Sequence, residues 1–167
     1  GALRDGNAGG GAPRLRGATS KRVRGACDQT AKMLFWDVCR VAATAWFMPG
    51  CGPGNAGRDG CDIFCGMASL ADGMTMSAKK DPMGNIGGWL AMHDDELARE
   101  CRNVLILTEG FPTYGGLAGR DLEALAQGMR EAVDHDYLRY RIRSTGYLGR
   151  AWVKAGVPVL TRIGGPA

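Results

Sequence analysis

Short apolar runs with abrupt polar or glycine stops constrain the fold more than any other feature. Met33-Leu34-Phe35-Trp36 ends at Asp37, Gly73 to Met76 ends at Ser77-Ala78-Lys79-Lys80-Asp81-Pro82, and Ile86 to Met92 carries the pair Gly87-Gly88. An unbroken apolar run of the first kind is the pattern of a parallel strand buried on both faces, and the other two runs read as short strands beside it. In open sheets of this type ligands sit at the carboxyl ends of the strands, where Asp37 falls. Gly87 and Gly88 predict a close approach by another backbone. Val104 to Leu107 is predicted as a further buried strand, and Val157 to Leu160 as the start of another.

Helices are expected between and after these strands. Asp94-Asp95-Glu96 places three carboxylates in the first turn of a helix predicted to run to about residue 102, where they favour the helix dipole. Leu122, Leu125, Met129 and Val133 recur at helical spacing from Leu117 onward and read as a core stripe. Leu138, Ile142, Leu148 and Trp152 continue the pattern in a second helix or a bent continuation, which Gly156 and Pro158 stop. Residues 49 to 60 are too rich in Gly and Pro for either regular structure and read as a loop. The alternation defines an α/β chain, and 167 residues suffice for one core burying roughly 70% of the unfolded surface. Glycine, at 27 residues, is more than twice the usual share of about 7% but has no three-residue period, which excludes a collagen-like chain.

Several classes are set aside on similar grounds. The apolar stretch Ala42 to Met48 is interrupted by Thr44 and falls far short of the roughly 20 residues a membrane span needs. With no basic and apolar leader pattern at its start, the chain is expected to be cytoplasmic, with no membrane partner. The six cysteines, at 27, 39, 51, 61, 65 and 101, show no Cys-x2-Cys pair and lie far from His93 and His135, so they read as unpaired small apolar residues. Residues 1–25 hold Arg4, Arg14, Arg16, Lys21, Arg22 and Arg24 against Asp5 alone. A nucleic-acid arm would show salt-dependent binding, but no aromatic residue is interleaved to stack on bases. A solvated helix face or frayed terminus fits better, and no nucleic-acid partner is expected.

The residues that carry chemistry are the Asp at 37 and the Ser-x-Lys-Lys at 77–80. A lysine amine can form a Schiff base with an aldehyde cofactor, and a carboxylate can keep a pyridine nitrogen protonated so that the ring accepts electrons. By spacing alone, a Lys-Lys pair is more often solvated surface charge. The longer segments 70–92 and 109–120, with Met-Ser-Ala-Lys-Lys-Asp-Pro and Glu-Gly-Phe-Pro-Thr-Tyr-Gly-Gly, resemble the lysine-bearing segment and following core of the tryptophanase and tyrosine phenol-lyase family. These are pyridoxal phosphate β-eliminating lyases, and the likeness runs without a gap from about 67 to 149.

That resemblance implies an α/β, type I aminotransferase-like large domain, present in part: a Gly/Arg-rich segment at 1–25, the central part of the cofactor-binding domain at 26–155, and the start of a small domain at 156–167. It implies that Lys80 is the catalytic amine, binding pyridoxal phosphate and moving the substrate's α-proton, and that Ser77 and Lys79 contact the cofactor phosphate. Asp37 is implied to pair with the ring nitrogen, and Arg40 and Asn7 to approach the ring hydroxyl. Asn85 falls where the family offers a main-chain carbonyl to a monovalent cation, usually potassium.

The implied reaction converts an aromatic L-amino acid to pyruvate, ammonia and the free aromatic, tryptophanase-like from Phe111, Thr113 and Ser-Ala-Lys-Lys. The alternatives are tyrosine phenol-lyase-like activity or a non-catalytic remnant of such a lyase. Family members form homotetramers. The likeness covers nearly the whole chain but only the middle of such an enzyme. Phe111 and Tyr114 could line a substrate pocket, a subunit contact or the core, and His93 reads as a solvated turn residue. The chain departs from the family after Arg40, and Gly60 and Gly66 each cost about 1 kcal/mol within an expected helix at 59–68.

Overall fold

The computed structural model describes residues 3–6, 17–47 and 60–159. In these the order is β1 (Leu3–Gly6), α1 (Gly17–Gln29), β2 (Leu34–Asp37), α2 (Val41–Phe47), α3 (Gly60–Ala68), β3 (Gly73–Ser77), β4 (Gly88–Met92), α4 (Asp95–Thr108), α5 (Gly119–Glu131) and α6 (His135–Lys154). The four strands form one sheet in the order β1-β2-β3-β4. β1, β2 and β3 run parallel, with Trp36 opposite Met74 and Asp37 opposite Thr75, whereas β4 runs antiparallel to β3.

The strands at 34–37, 73–77 and 88–92 lie where the apolar runs predict them, and β1 is a strand that the run pattern does not signal. Successive strand residues face opposite sides, and the two faces of this sheet differ. Leu34, Trp36, Val38 and Met76 bury one face against Cys27 of α1 and Ala71, with Val23, Phe64 and Met74 around them. The other face carries Phe35, Gly73, Asp37, Thr75 and Ser77, and a side chain at Gly73 would overlap the Phe35 ring. Gly88 admits the Met76 carbonyl where a Cβ would collide, and Gly87, at φ +89°, lies against Leu117. The close approach expected at this glycine pair is therefore present.

Arg24, expected on a solvated helix face or a frayed terminus, does lie on a helix but is half-buried and joins α1 to the entrance of β3: its guanidinium lies 2.7 Å from Asp72 Oδ2 and 2.6 Å from Asp28. Asp72 also accepts the Leu34 amide at 2.6 Å. That amide foremost, with Arg24 beside it, holds the Asp72 carboxyl below its ordinary range despite desolvation.

Two expected strands do not form among the described residues. Val104 to Leu107 lies inside α4, which continues past residue 102 to Thr108. Asp94 caps this helix by accepting the Leu97 amide at 3.0 Å, and Arg102-Asn103 offers no break, so a short apolar run simply extends the helix already begun. Val157 to Val159 forms no strand, and Leu160 lies outside the described residues. Gly156, at φ +79°, instead closes α6 as a left-handed cap, with Gly156 N donating to Val153 O and Val157 N to Trp152 O. Two separate helices replace the continuous alternative after Leu117: α6 restarts at Asp134, which accepts the Tyr137 amide at 2.8 Å.

The stripe expected as core is buried only in part. Leu125 is buried, but Met129 and Val133 are exposed, and Phe111 and Tyr114 are also exposed, which removes core packing as their role. α3 forms over Gly60–Ala68 with both glycines inside it. His93 is an exposed bend residue, as expected. Among the described residues, no helix is long and apolar enough to cross a membrane.

Candidate active site

The site begins with the way β2 ends. The β2–β3 ladder continues one bond past Asp37, with Val38 N donating to Thr75 O at 2.9 Å. The chain then turns as Cys39 N donates to Asp37 Oδ1 at 3.1 Å, an Asx turn that ends the strand and leads to Arg40 at the threshold of α2. Asp37, Thr75 and Ser77 fall on one face of the sheet because Asp37 and Thr75 are register partners and side chains alternate. Asp37 and Arg40 are both half-buried.

β3 ends at Ser77 and enters the loop 78–87, which closes on itself through Ala78 N to Gly87 O, Gly84 N to Ala78 O, and Met83 N to Lys80 O. This brings Lys80 back to the strand end: its Nζ donates to Ser77 Oγ at 2.9 Å. Lys80 is half-buried, whereas Lys79 and Asn85 are exposed. Asn7 lies outside the described residues. The structure thus gathers Asp37, Arg40, Ser77 and Lys80 at the carboxyl ends of two adjacent parallel strands, with Lys79 and Asn85 on the rim of the same loop.

Two further residues join this group. Cys39, read in sequence as a small apolar filler, accepts the Ser77 amide on its Sγ at 3.0 Å. Burial and then its hydrogen bond to Asp37 push the thiol's pKa up, so the thiol form is favoured between the carboxylate and the strand end. Cys27 does behave as an apolar core residue, and Cys27, Cys39, Cys65 and Cys101 are all free. Asp81, which follows the lysine pair, is 2% exposed. Its Oδ2 accepts the Ala43 amide of α2 at 3.0 Å, and its Oδ1 faces Arg141 of α6 at 3.7 Å. No local pattern reveals either role, because every partner is distant in sequence.

A small, mostly apolar hollow, partly open to solvent, is lined by Trp36, Phe64, Met67 and Met74 together with Asp37 and Arg40. Neither Ser77 nor Lys80 lines it, and Trp36 and Met74 belong to the sheet face opposite Asp37, so it is a gap beside α3 rather than the place of the amine.

The donor set suits one kind of cofactor. An amine held by a hydroxyl, a carboxylate on the adjacent strand and a guanidinium at the next helix start match an aldehyde-bearing, phosphorylated pyridine better than a metal ion. Residues 6–164 match the beta-eliminating lyase family, and the chain belongs to that family. Its relatives include the tryptophanase of Salinibacter ruber, 54% identical over 96% of this chain and 34% of that protein. The tyrosine phenol-lyase of Intrasporangium calvum is 48% identical over 90% of this chain and 32% of that one. The chain thus spans about a third of the length of these relatives. A crystal structure from Listeria monocytogenes described as an L-allo-threonine aldolase superposes with a TM-score of 0.60, at 12% identity, over 86% of this chain and 35% of that one. The fold is accordingly α/β and type I aminotransferase-like, present here as a partial domain.

Proposed function

We propose that this chain carries the cofactor-anchoring part of a pyridoxal phosphate-dependent lyase that β-eliminates an aromatic L-amino acid, with L-tryptophan yielding indole, pyruvate and ammonia. The observation that carries this reading is the Lys80 amine, hydrogen-bonded to Ser77 at the carboxyl end of β3, the strand paired in parallel with the β2 strand that ends at Asp37. The bound cofactor supplies a conjugated, protonated ring that spreads the negative charge left when the substrate's α-proton departs. Asp37 holds the proton on the ring nitrogen, and its half-buried setting strengthens that pairing relative to water. Arg40 orients the ring from its hydroxyl side, with Asn7. Ser77 and the exposed Lys79 bind the phosphate, and Lys80 takes the α-proton and returns it. The main-chain carbonyl of Asn85 would hold a monovalent cation such as potassium at the loop rim. The family's tetrameric habit supports a homo-oligomer whose neighbouring copies complete the substrate pocket.

The tryptophanase-like substrate rests on identity, 54% to a tryptophanase against 48% to a tyrosine phenol-lyase. Indole release from L-tryptophan, compared with phenol release from L-tyrosine, distinguishes these two. The cofactor reading is tested by loading the chain with pyridoxal phosphate, reducing with borohydride and mapping the peptides. Label on Lys80, abolished in Lys80→Met, is the expected result; label spread over the lysines generally contradicts it.

A further inference from the structure

The geometry points to Asp81 as a positioning residue that fixes the Lys80 backbone to the Asp37–Arg40 segment through a buried carboxylate set between α2 and α6. This inference rests on Lys80 being the cofactor-bearing amine.

Two hydrogen bonds tie the residue after the lysine to the segment after Asp37. Asp81 N donates to Cys39 O at 3.2 Å, and Asp81 Oδ2 accepts Ala43 N at 3.0 Å. They straddle Arg40, so the lysine loop cannot shift against the Asp37 turn without breaking one of them. The residues that follow are clamped as well. Pro82 is fully buried, and Gly128 of α5 lies so close to the Pro82 carbonyl that any side chain at 128 would collide with it. Met83 adopts φ +58° and accepts the Tyr137 hydroxyl on its sulfur at 2.9 Å. Arg141, facing Asp81, in turn donates to the Tyr137 oxygen at 3.0 Å.

The Lys80 side chain, by contrast, is only half-buried, and its amine is held by the single hydrogen bond to Ser77 that the structure gives it, so the base is fixed more firmly than the amine it carries. That division suits a group that must reach both a cofactor carbon and a substrate proton from one origin. Packing alone does not call for a carboxylate here. Asp81 Oδ1 is buried without a hydrogen bond, a costly arrangement that a neutral side chain of the same shape would relieve. The charge is matched instead to Arg141 across 3.7 Å and, at longer range, to Arg40.

The test compares the full chain with Asp81→Asn and Arg141→Gln. Each is loaded with pyridoxal phosphate, reduced with borohydride and mapped for the share of label on Lys80 against Lys21, Lys32, Lys79 and Lys154. Thermal melting of the unloaded proteins is measured in parallel. Asp81→Asn is expected to lower the Lys80 share at least about fivefold while melting no lower than the parent at neutral pH. Arg141→Gln is expected to lower it by less. An unchanged Lys80 share in a folded Asp81→Asn overturns the inference, as does a loss that only follows a lower melting temperature. If Asp81→Asn does not fold, Arg141→Gln decides by the same criterion. Unselective labelling of the parent chain would instead overturn the cofactor reading, so the two failures are distinguishable.

Discussion

The loop at 78–87 and the helix α4 invert the usual relation between regularity and order. The loop contains no helix or strand, yet Ala78, Asp81 and Pro82 are buried in it. α4 is a regular helix from Asp95 to Thr108 with no buried residue, and Val104, Ile106 and Leu107 are exposed along it. The loop is held by α2, α5 and α6, whereas the main packing of α4 among the described residues is on β4. Local hydrogen bonding and an N-cap suffice to make a helix, but a precise amine needs contacts from several directions.

The largest way to break the comparison is at Gly128. Gly128→Ala pushes α5 off the Pro82 carbonyl and is expected to destabilise the protein by about 2 kcal/mol in denaturant unfolding. An alanine variant as stable as the parent would show that the clamp on the loop is loose. Next comes the cap of α4: Asp94→Ala removes the acceptor for Leu97 N and should cost about 1 kcal/mol, with a loss of helical circular dichroism. A larger cost here than at Gly128 would reverse the ranking of the two regions.

Asp81 sharpens the comparison through pH. Burial foremost raises its pKa, against the opposing pull of the Ala43 amide, Arg141 and Arg40. The folded protein therefore holds its proton more tightly than the unfolded chain does. The stabilising contribution of this group is complete below the unfolded carboxylate pKa, about 3.9, and is lost as pH rises through the raised folded value. Asp81→Asn should accordingly gain most in melting temperature over the parent near neutral pH, and the difference should shrink towards acid. A gap that widens on acidification would contradict this. The smallest effect is expected at Leu107, 86% exposed on α4: Leu107→Gln should stay within about 0.5 kcal/mol of the parent.

The sequence made the strands at 34–37, 73–77 and 88–92 legible because burial on a sheet leaves a local mark, an apolar run with a sharp end. α5 and α6 were legible from helical spacing, and the association of Asp37, Ser77 and Lys80 came from a family resemblance. The run Val104 to Leu107 misled because four apolar residues serve a helix as well as a strand, and only the uninterrupted stretch from the Asp94 cap decides between them. Cys39 and Asp81 left no mark, since a thiol or carboxylate acquires its meaning from groups that only the folded chain brings near. Met129 and Val133 show the reverse error, a helical stripe continued beyond the surface that covers it.

The reversal of strand direction between β3 and β4 has a kinetic consequence. β3 meets β4 through residues 78–87 alone, while its pairing with β2 must close the far longer connection through α2 and α3. Shorter closures lose less chain entropy and form sooner. During refolding, amides of the β3–β4 hairpin are expected to gain exchange protection ahead of those joining β2 to β3, so that Lys80 acquires its perch before the acidic strand end arrives; the opposite order in a pulse-labelling experiment would refute it.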